Sequence, residues 1–383
     1  MKYNVKTRFL SLVLCVCMLV PMLTQVIPVF SVGAEEKEVE PITSPFTPET
    51  EFLINGKVEK SQSYRIPSMV TLDDGTIVAA ADIRWNTTYD GGGLDTLVAR
   101  STDGGKTWKY TVANYLGDNG NEYNAQSSTF IDPSLLVAKD GKTVYMLVDL
   151  YAYGVALNGN GKQSAPSSDT GFNAEGFLKL SSTARSTFDY YLKDGKIWQE
   201  GATDPVEGYT VDGYFNIYYE GEKKGNIFCA DSPYQVPKTQ YLYLTKSTDG
   251  GETWSEPTLL NLRSTTSYET ALLVAPAGAI TTSKGVMVYP VYRYVGNNES
   301  QRSGLIYSTD GVNWERSANF EALGQTSEAS VIELKNGNLR VFFRCKTKCL
   351  SYADYDLEAK TWSDAVVMDN VPINSNTQMS AIT

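Results

Sequence analysis

The sequence predicts an all-β protein built from repeated four-stranded units, and three observations carry the prediction. One turn motif recurs: STDGGKTW at 101–108, STDGGETW at 247–254 and STDGVNW at 308–314, with a degenerate copy, YDLEAKTW, ending at Trp362. Runs rich in β-formers, DTLVAR, YLYLTK and GLIYS, lead into the three full copies. The spacing is the third: Ser247 to Ser308 is 61 residues and Trp314 to Trp362 is 48, about the length of a propeller blade with its loops. Each copy makes physical sense as a hairpin turn. Asp-Gly-Gly supplies positive φ, the Asp side chain accepts backbone N–H groups, and the Trp packs back on the strands. Asp103, Asp249 and Asp310 are therefore read as turn architecture.

In chain order, residues 1–34 come first: a basic start, the apolar run FLSLVLCVCMLV at 9–20, and the small-residue stretch SVGA ending at Ala34. This is a secretory signal peptide, and it predicts a secreted or cell-surface protein with no membrane span after cleavage. Pro21, Thr24, Gln25 and Pro28 interrupt the apolar stretch and argue against an uncleaved anchor. Residues 35–50, rich in Glu, Pro and Thr, read as a linker. The propeller occupies 51–154 and resumes at 236–383. Between them, 155–235 reads as an inserted β-rich subdomain, because Ser101 to Ser247 spans 146 residues, more than two repeat steps. That stretch opens with a polar Gly/Ser/Asn/Asp-rich run and continues with strand-like pieces such as KIWQE and GYFNIYYEG. Removing the insertion leaves room for about five units of roughly 50 residues, so the ring is expected to be incomplete.

Composition excludes much chemistry. There is no histidine among the 383 residues, which removes Ser-His-Asp and Cys-His nucleophiles and His-ligated metals, and leaves carboxylates, Tyr, Lys and Arg. A net charge of -11, more negative once Lys2, Lys6 and Arg8 leave with the leader, repels phosphate backbones and anionic headgroups, so no nucleic-acid partner is expected. Of five cysteines, Cys15 and Cys17 fall in the leader. Cys229, Cys345 and Cys349 form an odd set, read as free thiols. CxxxC without a histidine or a second pair is a poor metal site, and neither a metal nor a cofactor is expected.

At 64–67 the chain reads Tyr-Arg-Ile-Pro. Arg84 follows Arg65 by 19 residues and Asp90, in the loop WNTTYDGGG, follows it by 25. Farther on, SEASVIELKNGNLRVFFR places Glu328 16 residues before Arg344, and TQYLYLTKSTDGGETWSEP carries the second turn motif. With these motifs, Tyr64 to Thr383 resembles the bacterial exo-sialidase (neuraminidase) family; the Asp-box turn alone would not be specific. The resemblance implies a six-bladed β-propeller, incomplete here, with a small β-rich insertion. It implies a secreted exo-α-sialidase, a retaining glycoside hydrolase that removes terminal sialic acid from glycoproteins or glycolipids, by hydrolysis or by intramolecular transfer, and that works as a monomer.

Residue by residue, the resemblance makes Arg65 and Arg344 two members of an arginine clamp on the substrate carboxylate. Planar guanidinium forks suit that task, because they bind a carboxylate bidentately and stay charged. Asp90 becomes the acid/base and Glu328 the base that activates a tyrosine nucleophile. A tyrosine makes sense because a carboxylate nucleophile would be repelled by the substrate's own carboxylate. Arg84 is expected to support these groups and Asp132, in FIDPSLLV, to contact sugar hydroxyls. The family's third arginine and its tyrosine have no counterpart here; Tyr64, Tyr89 and Tyr268 do not match that context. The expectation is a truncated sialidase with little activity. Two other classes compete: a non-catalytic sialoglycan-binding propeller, and a structural Asp-box propeller, which has no reason to hold Arg65, Asp90, Glu328 and Arg344 at these offsets.

Overall fold

The computed structural model describes residues 43–116, 127–157, 159, 163–182, 187–265, 268–296 and 300–374. The leader at 1–34, the first part of the linker and the segment 375–383 lie outside them. Among the described residues there is no α-helix, and the chain forms strands joined by tight turns.

A short hairpin, β1 (Phe52–Ile54) and β2 (Lys57–Glu59), precedes a first antiparallel meander of β3 (Ser63–Thr71), β4 (Ile77–Arg84), β5 (Leu94–Ser101) and β6 (Lys109–Asn114). A second meander begins with β7 (Thr129–Val137) and β8 (Val144–Tyr151). The chain then leaves it for β9 (Leu178–Ser182), β10 (Tyr190–Lys193), β11 (Lys196–Gln199), β12 (Tyr209–Val211), β13 (Asn216–Tyr219), β14 (Glu222–Asn226) and β15 (Tyr234–Gln235). It returns to complete the second meander with β16 (Gln240–Ser247), paired to β8, and β17 (Thr258–Leu260). The third comprises β18 (Ala271–Val274), β19 (Ile280–Thr281), β20 (Met287–Tyr294), β21 (Arg302–Ser308) and β22 (Glu315–Arg316). The fourth comprises β23 (Thr326–Glu333), β24 (Leu339–Cys345), β25 (Cys349–Asp356), β26 (Thr361–Trp362) and β27 (Val366–Pro372).

Among the described residues four meanders thus stand where the spacing suggested about five units. Part of the difference is residues 51–62, counted with the propeller, which form the β1–β2 hairpin instead. Residues 43–50, expected as linker, are docked. Thr43 N–H donates to Gly105 O (3.0 Å), Tyr110 Oη donates to Pro45 O (2.9 Å), and the Phe46 and Tyr64 rings lie 5.6 Å apart.

The meanders pack face to face in sequence order. Val78, Ala80 and Val98 of the first meet Leu135, Val144 and Met146 of the second. Leu147 and Leu242 of the second meet Leu272, Tyr289 and Ile306 of the third, and Val288 and Leu305 of the third meet Val331, Val341 and Phe343 of the fourth. Strands covered on both faces lose the alternation of half-buried strands, and every residue of β8, VYMLVDLY, is buried. The excursion between β8 and β16 shares a core with its parent, Leu180, Ile197, Ile217 and Phe228 packing on Phe130, Val148 and Tyr243. Arg263 fastens it further, donating to Ser167 O (3.1 Å) and Asp169 O (2.8 Å).

The repeated turns hold as their sequence suggests. Asp103 accepts from the Thr107 hydroxyl (2.6 Å), the Thr107 amide (3.0 Å) and the Lys106 amide (3.1 Å), and these bonds hold its carboxyl well below the usual range. Asp249 and Asp310 repeat the pattern. Asp356 anchors the degenerate copy through the amides of Glu358 (2.9 Å) and Ala359 (2.8 Å). Among the described residues Cys229, Cys345 and Cys349 form no disulfide.

Candidate active site

The candidate residues converge because the opening strands of three meanders break register near the same point. In β3 the pairing with β4 slips between Arg65 and Ser68; in β7 it slips between Ile131 and Ser134; in β23 it slips between Thr326 and Ala329. A bulge turns a side chain out of the ladder and is tolerated where proline has already removed a donor. Pro67 and Pro133 sit in two of the three. Ile66 and Asp132, the residues before them, take φ of 56° and 63°, a region costly for any residue with a Cβ and most unusual for β-branched Ile. The third meander interrupts its opening strand instead, between β18 and β19, where Ala277 has φ 53°. Asp132 and Glu328 lie within two of these irregularities, and Arg65, still paired with Asp82, stands at the edge of the third.

Two arginines hold the Asp90 loop. Arg65 Nη1 donates to Asp90 Oδ1 (3.1 Å) and Thr88 O (3.2 Å), and Arg84 Nη1 donates to Asp90 Oδ1 (2.7 Å), Tyr89 O (2.7 Å) and Thr88 O (3.1 Å). Their settings differ sharply. The Arg84 side chain is 0% exposed, whereas those of Arg65 and Asp90 are 45% and 66% exposed. Arg84 keeps its charge in the interior because Asp82, also 0% exposed, accepts from its Nη2 at 2.8 Å. Asp82 reaches the second meander as well, its Oδ1 accepting the Asp132 amide at 3.0 Å.

On the far side, Arg344 Nη1 donates to Glu328 Oε2 at 2.7 Å, with both side chains partly exposed. The two halves face a common centre. Burial first, then the charges of Asp82, Glu328 and Asp90, push the Asp132 carboxyl well above its usual range. Arg65 and Arg344 each hold one of the protein's own carboxylates in a partly exposed pair, so an incoming carboxylate can exchange for it at small cost. Hydrogen bonds thus join Arg65, Arg84 and Asp90 and, through Asp82, the Asp132 amide in one assembly, and Arg344 with Glu328 forms a second pair whose charge acts on Asp132. A cleft of about 1140 Å³ runs nearby with walls of Met69, Ala79, Ala81, Ala277 and Ile280, but Arg65 is its one member of that assembly.

Sequence reasoning missed the layer beneath. Asp82 and Asp149 are fully buried, and Tyr151 and Tyr292 nearly so. Asp149 Oδ1 accepts from Gln240 Nε2 (2.9 Å) and the Val274 amide (3.3 Å), and burial, reinforced by Asp132, pushes its carboxyl well above the usual range. Burial raises the Tyr292 phenol too, with Glu328 and Asp132 adding to it. Tyr151 is raised likewise, by burial and then by Asp149 and Asp132. That is the reverse of an activated nucleophile. The available signal was a lone carboxylate inside an apolar strand, in VAAADIR and in VYMLVDLY.

Comparison with known proteins gives the family. Residues 66–382 match the BNR repeat-like domain family. The chain is 29% identical to the anhydrosialidase of Macrobdella decora, over 93% of this chain and 52% of the relative, and 26% identical to sialidase B of Streptococcus pneumoniae, over 83% and 50%. It spans about half the length of these curated relatives. Among solved structures, the intramolecular trans-sialidase from Ruminococcus gnavus, determined with oseltamivir carboxylate, superposes with a TM-score of 0.70 at 26% identity, covering 82% of this chain and 72% of that one. With its repeated Asp turns, stacked meanders and arginine–carboxylate assembly, the chain belongs to the BNR repeat-like family, among the sialidases of bacterial type.

Proposed function

We propose that the protein acts as a secreted, retaining exo-α-sialidase on terminal sialosides of glycoconjugates, in a six-bladed propeller of which these four meanders form part. The observation that carries this reading is the meeting of the Arg65–Asp90–Arg84 and Arg344–Glu328 clusters around Asp132. In the reaction the substrate carboxylate takes the forks of Arg65 and Arg344 in exchange for their present partners. Asp90 gives its proton to the glycosidic oxygen as the C2–O bond breaks. Glu328 takes the proton of a tyrosine hydroxyl as that oxygen bonds to C2. This tyrosine is not assigned among the residues of this sequence. In the second step an acceptor hydroxyl loses its proton to Asp90 and bonds to C2, and the tyrosine oxygen leaves and recovers its proton from Glu328.

The acceptor decides the product. Likeness to an anhydrosialidase and to an intramolecular trans-sialidase favours a hydroxyl of the sugar's own glycerol chain over water. The anhydro product is one water lighter than free sialic acid, so mass spectrometry of a digest of 3′-sialyllactose separates the routes. Ligand binding is tested apart from turnover, by calorimetric titration with 2-deoxy-2,3-didehydro-N-acetylneuraminic acid. We expect binding that Arg65→Ala weakens by about 10- to 100-fold, the range for losing a charge-assisted bidentate pair. Absence of binding, or binding indifferent to Arg65 and Arg344, would overturn the reading. Binding with no turnover would favour the non-catalytic sialoglycan-binding alternative.

A further inference from the structure

We propose that Asp82 is a positioning residue for this site, one buried carboxylate that ties the Asp90 loop of the first meander to the Asp132 bulge of the second. Asp82 lies on β4 directly opposite Arg65 in the β3–β4 register. The strand around it, IVAAADIR, is otherwise apolar except for Arg84, and a carboxylate enclosed there is costly unless all its bonds are made. They are made in two directions. Oδ2 accepts from Arg84 Nη2 (2.8 Å), and the other arm of that guanidinium holds Asp90 and the carbonyls of Thr88 and Tyr89. Oδ1 accepts the amide of Asp132 (3.0 Å), which the bulge has taken out of the ladder with β8.

Both arms restrain geometry that would otherwise relax. Asp132 has φ 63°, and a backbone N–H with no ladder partner needs an acceptor to stay in that conformation. Asp90 is 66% exposed and belongs to a loop whose described anchors include the Arg84 fork. That fork is oriented by Asp82 from behind. Being wholly buried, Asp82 touches no substrate; it sets the relative placement of an acid/base and a sugar-binding carboxylate that sit on different meanders.

Two variants separate the arms. Asp82→Asn keeps one acceptor oxygen, so it can satisfy Arg84 or the Asp132 amide but not both, and it removes the charge. Asp82→Ala removes both. Amide hydrogen exchange reads each arm: the Asp132 amide reports the bulge, and the Tyr89 amide, which donates to Thr87 Oγ1 within the loop (3.0 Å), reports the loop. We expect Asp82→Asn to speed exchange at one of these amides and Asp82→Ala at both, with β20 and β24 as protected as in the wild type. Affinity for the didehydro sialic acid should fall by about tenfold in Asp82→Asn and further in Asp82→Ala, in line with successive loss of charge-assisted hydrogen bonds. Wild-type exchange at both amides in Asp82→Ala would overturn the inference. So would exchange raised evenly over all four meanders, the mark of a residue that merely stabilises the fold. The affinity readout rests on the proposed function, whereas the exchange readout does not. If the wild type binds no sialoside, that reading fails while the exchange data still decide the role of Asp82.

Discussion

Arg84 and Arg65 share a partner in Asp90, yet replacing each by methionine should have very different consequences. Arg84→Met leaves Asp82 enclosed with no cation, whereas Arg65→Met opens a pair whose members are 45% and 66% exposed. Stranding a buried carboxylate costs about 3–5 kcal/mol, and losing a solvated ion pair about 0–1 kcal/mol. Protonation gives Asp82 an escape, and burial already pushes its carboxyl from 3.8 up to about 7 even beside Arg84, so the wild type also holds this proton at pH 5. Without Arg84 the carboxyl is raised further. The two proteins therefore differ in proton uptake only above about pH 7, where the wild type releases the proton and Arg84→Met keeps it. A group with a raised folded-state pKa loses stability as pH rises, so the pH-dependent part of the Arg84→Met penalty should be near zero at pH 5 and grow by about 1.4 kcal/mol for each pH unit above 7, to about 3 kcal/mol at pH 9. Urea unfolding of wild type and both variants at pH 5 and pH 9 measures it. Adding Asp82→Asn to Arg84→Met removes the stranded acid and should restore most of that increment at pH 9. Equal midpoints for Arg84→Met and Arg65→Met at pH 9, or an Arg84→Met penalty that does not rise between the two pH values, would refute the reasoning.

Asp149→Asn should stabilise the protein, because burial holds this carboxyl above its usual range while its hydrogen-bond donors, the Gln240 side chain and the Val274 amide, are both neutral, and the amide keeps the bonds from them. The gain should be near zero at pH 4 and about 1–3 kcal/mol at pH 8, read from thermal unfolding across that range. Gly311→Ala places a Cβ 2.1 Å from Tyr145 Oη at a residue with φ 72°. It should cost about 2–4 kcal/mol by overpacking and backbone strain, and didehydro sialic acid titration should show unchanged affinity. Glu328→Gln removes the proposed base and lightens the hold on Arg344, so affinity for that ligand should stay within about threefold. Wherever turnover is measured, the same change should lower it about 100-fold or more.

Much of the repeat was readable along the chain, because an Asp-box turn is local. Asp103 satisfies its acceptors within four residues, at Ser101, Lys106 and Thr107, so the motif is complete in eight letters. Five of the six candidate residues have fixed offsets for another reason: Arg65, Arg84 and Asp90 lie on one strand pair and the loop that follows it, and Glu328 and Arg344 on another pair, whereas Asp132 stands alone on β7. Counting meanders was less secure. Length alone does not separate strands of a meander from residues 43–62, which dock on the first one through Phe46, Phe52 and Tyr110.

By itself the sequence determined the all-β class, the turns, and the chemical kinds of group at the site, since these follow from residue type and short-range spacing. Tertiary structure decided which carboxylates carry an unusual proton affinity and which arginine is structural. Arg65 and Arg84 look alike in sequence. One is partly in water and the other sealed against Asp82, because β3 slips register just after Arg65 while β4 stays paired and buried through Arg84. Asp82, Asp132 and Asp149 come from three strands, and the field each feels depends on how those strands pack. That field, set by burial and by neighbours distant in the chain, has no signature in any short window of residues.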